Sequence, residues 1–465
     1  MAAIIFSALV MCAVSLFIGQ AALRLAGAQE WNWLAPAVGL SIAMLLATPT
    51  VHLPGRSATM AVLLAVLTIA AAIWCLRTPQ HRPPLLDLAA ALPVAFLVFV
   101  PFLAAGRGGI LGVTVNNDMS VHLSFVEGFI SSAVPLPADY PLGPHALAAA
   151  LSKGLGIEAD LAFSGWTMAI PVISAWTVLA AARHTRWFGM AVAATVTSMP
   201  FLIAAYYGQG SFKEVAQAGL VLAVVLFLSG CGPRLGRGRW VPFALLIGGI
   251  VSAYSPAGLA WVVAISAFWL AGLLAIQAQR RGLREVPGIV RAELPAVGVG
   301  VGVLVVILLP QAQRLWEFVS LREGTGIAVN DIGNLIANLP VWEAQGIWDS
   351  VDYRLPASPA FTGGRWSWFV VALILFGSFW AFRRGRWLLP LSAAAAILIW
   401  QYADRSQSIY VAAKALMIAS PLLLLLTVLP VLDREQQHWP QRPRWVWLVA
   451  PTLVVVLFLR VAHDD

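Results

Sequence analysis

A carboxylate and an imidazole stand four residues apart in NNDMSVHL, at residues 116–123. If this stretch is helical, Asp118 and His122 lie one turn apart on the same face of the helix. A carboxylate placed in this way can take the proton of an attacking hydroxyl group. We therefore take Asp118 and His122 as the candidate catalytic pair. The alternative is that Asp118 caps a helix and that the histidine is an ordinary interfacial residue.

Further polar side chains follow in YPLGPHALAAAL, at residues 140–151. The Tyr-Pro and Gly-Pro pairs break the chain and then start a helix, because proline is favoured at the first helical position. This leaves His145 in the first turn of that helix, shortly after Tyr140. Both residues are candidates for lining the same pocket as the catalytic pair.

The elements that must position these residues are membrane-spanning helices. The sequence is 60% hydrophobic and 11% charged, with a mean hydropathy of +0.83. Apolar runs of about 20 residues cross a bilayer as helices, which predicts an all-α polytopic protein with about 14 spans. The predicted spans are 3–26, 34–53, 57–76, 88–106, 159–182, 187–206, 213–230, 240–256, 258–278, 293–310, 366–382, 387–401, 411–432 and 445–462.

The charged breaks between these runs orient the protein. Arginine-rich breaks alternate with arginine-poor ones, and the positive-inside rule assigns the arginine-rich set to the cytoplasm. The net charge of +8 then reflects topology and does not indicate nucleic-acid binding. The three lysines, Lys153, Lys213 and Lys414, all fall outside. A genome that prefers arginine codons explains why lysine is scarce, but explains its placement less well.

Two predicted outer loops, 107–158 and 311–365, are far longer than a helical bundle needs, and loops of this length are usually functional or disordered. Their composition argues against disorder. We expect short amphipathic helices on the outer membrane surface, at 122–130 and 145–155 in the first loop. The further candidates for an acceptor or donor pocket at the outer ends are Asn117, Tyr140, His145, Glu214, Tyr254, Glu343, Asp349, Asp352, Arg354, Asp404 and Tyr410.

An acid, several cations and aromatic residues at the outer interface suit a lipid-linked phosphate donor. Lysine is a compact cation suited to phosphate, and a charge as deep as Lys414 usually faces a cavity. In glycosyl transfer with inversion, a carboxylate takes the proton of the acceptor hydroxyl, while cations offset the charge on the leaving phosphate. Because no nucleotide is available outside a cell, a lipid-linked sugar is the natural activated donor there.

The first long outer loop, with its acid, Tyr-Pro turn and surface helix, resembles that of the GT-C superfamily of polyprenyl-phosphate-sugar glycosyltransferases. NND-x-x-x-H followed by YPLGPHALAAAL is similar to bacterial multi-pass proteins of unassigned function that are grouped with these enzymes. The resemblance covers about 88–465, with 1–86 as an added N-terminal unit of three helices. This is a departure, because GT-C enzymes usually place the acidic loop after their first helix.

The resemblance implies that Asp118 is the catalytic base or a metal ligand. Whether it binds Mg²⁺ or Mn²⁺ stays open, because a divalent site needs several oxygen ligands. Lys213, Arg405 and Lys414 are candidates for binding the donor phosphate, by location. The expected partners are a polyprenyl-phosphate-linked sugar, the lipid bilayer and a cell-envelope glycan, lipid or protein acceptor. The expected location is the bacterial plasma membrane, with the active site on the outer face.

Two other functions remain open. A transporter or flippase of a lipid-linked sugar would also need many helices, but it requires ionisable groups deep in the bilayer, and the predicted spans are nearly free of them. A non-catalytic subunit for envelope assembly would use the outer loops as docking surfaces for other proteins. The crowding of polar groups at one membrane face favours the enzyme.

Overall fold

The computed structural model describes residues 1–112, 118–131, 136–137, 140–231, 237–282, 284, 286–324, 332–346, 352–355 and 365–432. Within these ranges the chain is helical and has no β-strand, which confirms the predicted all-α class. The α-helices, in chain order, are α1 (Ala2–Leu25), α2 (Ala35–Ala47), α3 (Ser57–Leu76), α4 (Leu85–Leu88), α5 (Leu92–Ala105), α6 (Asp118–Ile130), α7 (Gly143–Leu155), α8 (Ala159–Ala182), α9 (Trp187–Ser198), α10 (Phe201–Gly208), α11 (Phe212–Gly230), α12 (Arg237–Tyr254), α13 (Leu259–Arg281), α14 (Val286–Leu308), α15 (Ala312–Gly324), α16 (Arg365–Arg383), α17 (Leu388–Ser406) and α18 (Ile409–Leu432).

Eight helical segments in the described ranges are long and apolar enough to cross a membrane, and nine if α9 and α10 form one broken span. Three further apolar helices are shorter. Helix α2, for example, has 13 residues, or about 20 Å at 1.5 Å per residue, against about 30 Å of hydrocarbon. The described helices thus give a multi-pass membrane protein with fewer full-length spans than the predicted fourteen. The predicted span 445–462 lies outside the described residues.

Prolines account for two of these differences. The predicted span 34–53 has a proline near each end, and its α-helix gives way to a 3-10 turn at Thr48–His52. The predicted span 187–206 is broken at Pro200 into α9 and α10, which meet at 58°. Proline lacks an N–H group and its ring clashes with the preceding turn, so the helix cannot continue straight.

The interior of the bundle consists of α8, α11 and α18. Within an apolar stretch of 18 residues, 83% of the residues are buried in α8 and in α11, against 11% in the segment Val290–Phe318. Helix α11 packs against α8, α12 and α18. Because hydrocarbon tails are as apolar as a protein core, an exposed apolar segment such as Val290–Phe318 can face lipid without cost.

Helices α1 and α2 cross closely at two glycines. A Cβ atom on Gly19 would overlap the carbonyl oxygen of Ala35, and one on Gly39 would overlap that of Ser15. Small residues at such crossings allow the backbones to approach. In turn, α1 packs against α8, and α2 packs against α12. The predicted N-terminal unit, 1–86, is therefore in direct contact with the remainder of the bundle.

The first predicted outer loop contains two helices, α6 and α7, close to the predicted positions. Helix α7, however, does not lie on a surface, because every residue of Gly143–Ser152 is buried. It packs against α2, α3, α6 and α8. The alanine-rich sequence suggested an amphipathic surface helix. Its small side chains instead allow the four neighbouring helices to pack closely around α7.

The second predicted outer loop enters the bundle in part. We call 332–346 together with 352–355 the re-entrant hairpin. It starts where the Asn334 side-chain amide donates a hydrogen bond to Gln209 Oε1, 3.0 Å away. At its deep end, Gly346 lies against Phe201, at the far end of α10. Since α10 has 8 residues, this is a descent of about 12 Å.

The second described part of the hairpin, 352–355, lies at the level of Gln209. The Tyr353 hydroxyl lies 2.7 Å from Gln209 Nε2, and its ring contacts that of Tyr206 on α10. Non-helical backbone is tolerated at membrane depth only where protein surrounds it. The 3-10 turn Val341–Gln345 meets this condition, because all five of its residues are buried.

Candidate active site

Helix α6 places Asp118 and His122 on the wall of a polar cavity of about 350 Å³. Asp118 is the first residue of α6 and is exposed, where its negative charge is favoured by the positive end of the helix dipole. His122 follows one turn later and is 9% exposed. The spacing of four residues therefore does bring the two side chains to one cavity.

A glycine turn brings two more charged residues to this cavity. Between α10 and α11 the chain reverses at Gly210, whose φ of 79° favours glycine. A side chain at Gly210 would also meet Met119 of α6. The turn places Lys213 and Glu214 in the first turn of α11, where both line the polar cavity. Asp118, Gln209 and Lys414 all line this cavity, and we call their end of the bundle the site end.

Lys414 of α18 pairs with Glu214 of α11. Its Nζ lies 2.8 Å from Glu214 Oε1, and the two side chains are 16% and 5% exposed. The same ammonium group lies over the ring of Tyr410, 3.8 Å from its centre. Lys414, a predicted candidate for binding the donor phosphate, therefore shares its charge with Glu214.

Lys213 is placed differently. Its ammonium group lies 4.3 Å from the centre of the Tyr140 ring, a cation–π contact. In the part of the chain that the structure describes, Lys213 forms no ion pair. It is therefore the lysine of this cavity whose charge can meet an anion.

Behind His122 lies a second, fully buried histidine. His145 of α7 is 0% exposed, and its Nε2 lies 3.2 Å from His122 Nδ1. Burial, with Lys213 and Lys414 nearby, lowers the pKa of His122 to about 3. Burial and the neighbouring His122 also hold the pKa of His145 well below its usual value. Both rings are therefore neutral near pH 7.

Two neutral rings share a single hydrogen between these nitrogens, and the other nitrogen of His145 decides where it sits. His145 Nδ1 is buried and has no hydrogen-bond partner among the described residues. A buried N–H group without a partner is rarer than an unpaired acceptor. We infer that His145 donates from Nε2 to His122 Nδ1. His122 then carries its own hydrogen on Nε2 and presents a donor, not a base.

A second cavity of about 520 Å³ adjoins the polar one. Both cavities are lined by Tyr140, Lys213, Glu214, Tyr410 and Lys414, which form their common wall. The rest of the second cavity is mostly apolar, with walls from the start of α13, from α15, α17 and α18, and it includes Tyr254, Trp261, Phe318, Ile399 and Val411. A polar chamber and an apolar chamber thus meet at two lysines.

The other predicted site residues lie elsewhere. Asp404 and Arg405 are near the end of α17 and line neither cavity. Asp352 and Arg354 pair with each other at 2.6 Å, and hydrogen bonds from Arg354 lower the pKa of Asp352. Glu343 is fully buried in the re-entrant hairpin. Asn117 and Asp349 lie outside the described residues.

Gln209 is the residue of this site that the sequence did not single out. It lines the polar cavity and also holds both ends of the re-entrant hairpin, through Asn334 and Tyr353. A neutral amide attracts little attention in a search for charged groups. The sequence feature that points to Gln209 is its position in YYGQGS, where the flanking glycines indicate a tight turn in an otherwise apolar stretch.

A divalent metal ion finds little support in these side chains. Among the described residues, no group of three or more His, Cys, Asp or Glu side chains is arranged to hold an ion. The nearest second carboxylate in the cavity, Glu214, is engaged by Lys414. Since Mg²⁺ and Mn²⁺ need several oxygen ligands, the described donor set does not fit either ion.

Comparison of the chain with models of known protein families gives no match, and comparison with curated protein sequences gives none either. The similarity to GT-C enzymes therefore rests on the short motifs around Asp118 and Tyr140. The two joined cavities are an observation independent of that similarity.

The Lys414–Glu214 pair generates a prediction about stability. Breaking a buried pair leaves one charge without compensation, at a cost of about 3–5 kcal/mol, whereas replacing both partners is often neutral. We expect Lys414→Met to be strongly destabilising and the double change Lys414→Met with Glu214→Gln to recover most of the loss. The measurement is thermal and denaturant unfolding of the four proteins in detergent micelles. If the two single losses simply add in the double variant, the two residues are not coupled.

The histidine pair generates a prediction about protonation. The pKa of His122 is lower in the folded than in the unfolded chain, so stability should be lost as the pH falls from about 6.5 toward 3. Nitrogen NMR of histidine-labelled protein should show His122 neutral between about pH 8 and 5, with its hydrogen on Nε2. The denatured protein is the reference, and His122→Gln assigns the signal. Protonation in this range, or a hydrogen on Nδ1, would contradict the assignment.

Proposed function

We propose that this chain is a GT-C-like membrane glycosyltransferase that moves a sugar from a polyprenyl-phosphate donor to a cell-envelope acceptor. One observation carries the proposal: a polar cavity with an acid joins an apolar cavity, and two lysines stand at the junction. A lipid-linked sugar has the same succession of parts, namely a polar sugar, an anionic phosphate and an apolar chain. The sugar thus matches the polar chamber, the phosphate matches the lysines at the junction, and the apolar chain matches the apolar chamber.

Lys213 is the proposed phosphate ligand. It lies at the junction, and no ion pair within the described residues engages it. An ammonium group that meets a phosphate in a site shielded from water forms a strong, charge-assisted hydrogen bond. Lys414, balanced by Glu214, keeps the walls of the junction together and adds little net charge. Arg405 lines neither cavity, although its neighbours Ala403 and Gln407 line the second one, so Lys213 is preferred in this role.

Asp118 is the proposed general base. In an inverting transfer, the acceptor oxygen attacks the anomeric carbon, its proton passes to the Asp118 carboxylate, and the bond from that carbon to the phosphate oxygen breaks. The bonding electrons leave with the phosphate, whose charge Lys213 offsets. The N–H group of His122 suits a hydrogen bond to an oxygen of the bound sugar or acceptor. No step requires a metal ion.

The distribution of arginine supports the proposed location. Arginine-rich breaks mark the cytoplasmic side by the positive-inside rule, and the lysines and the candidate acids fall on the opposite side of the predicted topology. The site end would then face outward from a bacterial plasma membrane. The partners would be a polyprenyl-phosphate-linked sugar in the bilayer and a glycan, lipid or protein acceptor in the envelope.

A transporter or flippase of a lipid-linked sugar is the second candidate function. The broken pair α9 and α10 and the re-entrant hairpin favour it, because interrupted helices at membrane depth are typical of transporters. A transporter would move the donor intact, whereas a transferase releases polyprenyl phosphate from it. The chemical fate of the donor therefore separates the two functions.

We expect Asp118→Asn to lower release of polyprenyl phosphate by about 10²-fold or more, the usual contribution of a general base. The assay presents polyprenyl-phosphate-linked hexoses and an envelope extract to the protein in nanodiscs, with detection by mass spectrometry. Asp160→Asn is the control, since this acid lies in the first turn of α8 and lines neither cavity. Equal release by Asp118→Asn and the unaltered protein would remove Asp118 from the reaction.

We expect Lys213→Met to weaken binding of polyprenyl phosphate by about 10-fold or more, because a hydrogen bond to a charged group contributes about 1.5–3 kcal/mol. Binding is measured in nanodiscs, without acceptor. Lys153→Met makes the same chemical change at an exposed residue near the end of α7 and should leave binding unchanged. Equal affinities for the two variants would show that Lys213 does not hold the phosphate.

A further inference from the structure

Glu343 is an ionisable side chain without any visible compensation. It is 0% exposed, and neither carboxyl oxygen has a hydrogen-bond partner among the described residues. The side-chain nitrogen of the neighbouring Gln345 is likewise buried and unpartnered there. Two buried polar groups without described partners, two residues apart, point to a ligand at this place.

The position of Glu343 is deep in the bundle. It belongs to the 3-10 turn Val341–Gln345 of the re-entrant hairpin, which packs against α10, α16 and α18. Gln345 Oε1 lies 3.5 Å from Thr427 Oγ1 on α18. Thr427 is 13 residues beyond Lys414, about 20 Å further along α18 at 1.5 Å per residue.

No described side chain of the surrounding helices compensates Glu343. The titratable and charged side chains that the structure describes on these helices are Tyr206 and Tyr207 of α10, Arg383 of α16, and Tyr410 and Lys414 of α18, and none is hydrogen-bonded to Glu343. On the hairpin itself, Asp352 and Arg354 pair with each other. Whatever compensates an ionised Glu343 must therefore come from outside the described side chains.

A buried carboxylate without a counter-charge is prohibitively costly, and a bound proton or another small cation removes that cost. Acids at membrane depth usually mark the sites and paths of ions. Broken helices and non-helical backbone contribute carbonyl oxygens to such sites. Both features are present here, since Gly346 of the hairpin lies against Phe201, which directly follows the break at Pro200.

We propose that the 3-10 turn Val341–Gln345 of the re-entrant hairpin carries a binding site for a small monovalent cation, a proton or sodium, held by the Glu343 carboxylate. A proton would bond to one carboxyl oxygen and return to water when it leaves. Sodium would be held by the carboxylate, with backbone carbonyl oxygens of the non-helical segment as further ligands. The site lies beyond the proposed transferase chemistry and does not depend on it.

Infrared difference spectroscopy of the protein in nanodiscs tests the proposal directly. A protonated carboxylic acid has a carbonyl band that glutamine lacks, so subtracting the Glu343→Gln spectrum isolates Glu343. We expect this band at about pH 6 and its loss by about pH 10, or its loss at constant pH when sodium replaces choline. Sensitivity to pH alone identifies the cation as a proton, and sensitivity to sodium identifies sodium. A band that neither condition changes, or no band at all, overturns the proposal.

A second measurement uses the unaltered protein and so does not depend on the variant folding. Dicyclohexylcarbodiimide, an apolar reagent, takes the proton of a carboxylic acid on nitrogen while the carboxyl oxygen bonds to its central carbon. We expect mass spectrometry to find the adduct on Glu343, at least about tenfold less at about pH 10 than at about pH 6, or less in sodium than in choline. Glu214, ion-paired with Lys414, is the internal control and should stay unlabelled. Labelling of Glu343 that neither pH nor sodium alters contradicts the proposal.

Discussion

The ion pair between Lys414 and Glu214 joins two helices, α18 and α11, that are otherwise almost entirely apolar. Neither charge could be buried alone, because the energetic penalty of an unpaired charge in a low-dielectric interior far exceeds what packing returns. The pair therefore fixes how α11 and α18 meet at the site end. Both cavities are built against this meeting point, and five side chains at it line both of them.

The same pair decides which neighbouring groups remain available. Glu214 forms its ion pair with Lys414 and not with the adjacent Lys213, whose ammonium group lies over the Tyr140 ring. The charge of Lys213 can therefore meet a ligand. Asp118 lines the same cavity from α6, exposed and at the favourable end of its helix. Acid and cation thus come from different helices that meet at one chamber. A transfer with an attacking oxygen and a leaving phosphate requires both groups there.

Sequence patterns could predict the groups held by local geometry. The spacing of Asp118 and His122 depends only on α6 being helical, and Lys213 and Glu214 follow a glycine turn that is visible in the sequence. Partner choice could not be predicted, because whether a lysine meets a phosphate or a glutamate depends on two helices 200 residues apart. The burial of α7 was missed for a related reason: alanines suit a surface helix and a crowded interior equally well.

The re-entrant hairpin shows the same limit more strongly. Its apolar residues resemble those of a loop lying on a membrane surface, and Trp342 suggests an interface. Inside the bundle it packs beside the break at Pro200, where Gly346 lies against Phe201. A break in one helix and a descending segment 140 residues later are complementary only in three dimensions. Composition and hydropathy therefore could not predict that the two segments pack together.

Gln209 connects the two polar regions of the molecule. Its single side-chain amide donates and accepts, so it can hold Asn334, Tyr353 and the wall of the polar cavity together without carrying a charge. Both ends of the hairpin are hydrogen-bonded to Gln209. Gly346 lies about 12 Å deeper, at the far end of α10. The turn after Gln209 also carries Lys213, four residues further along the chain. The hairpin and the cation at the cavity junction are therefore held by one short stretch of backbone.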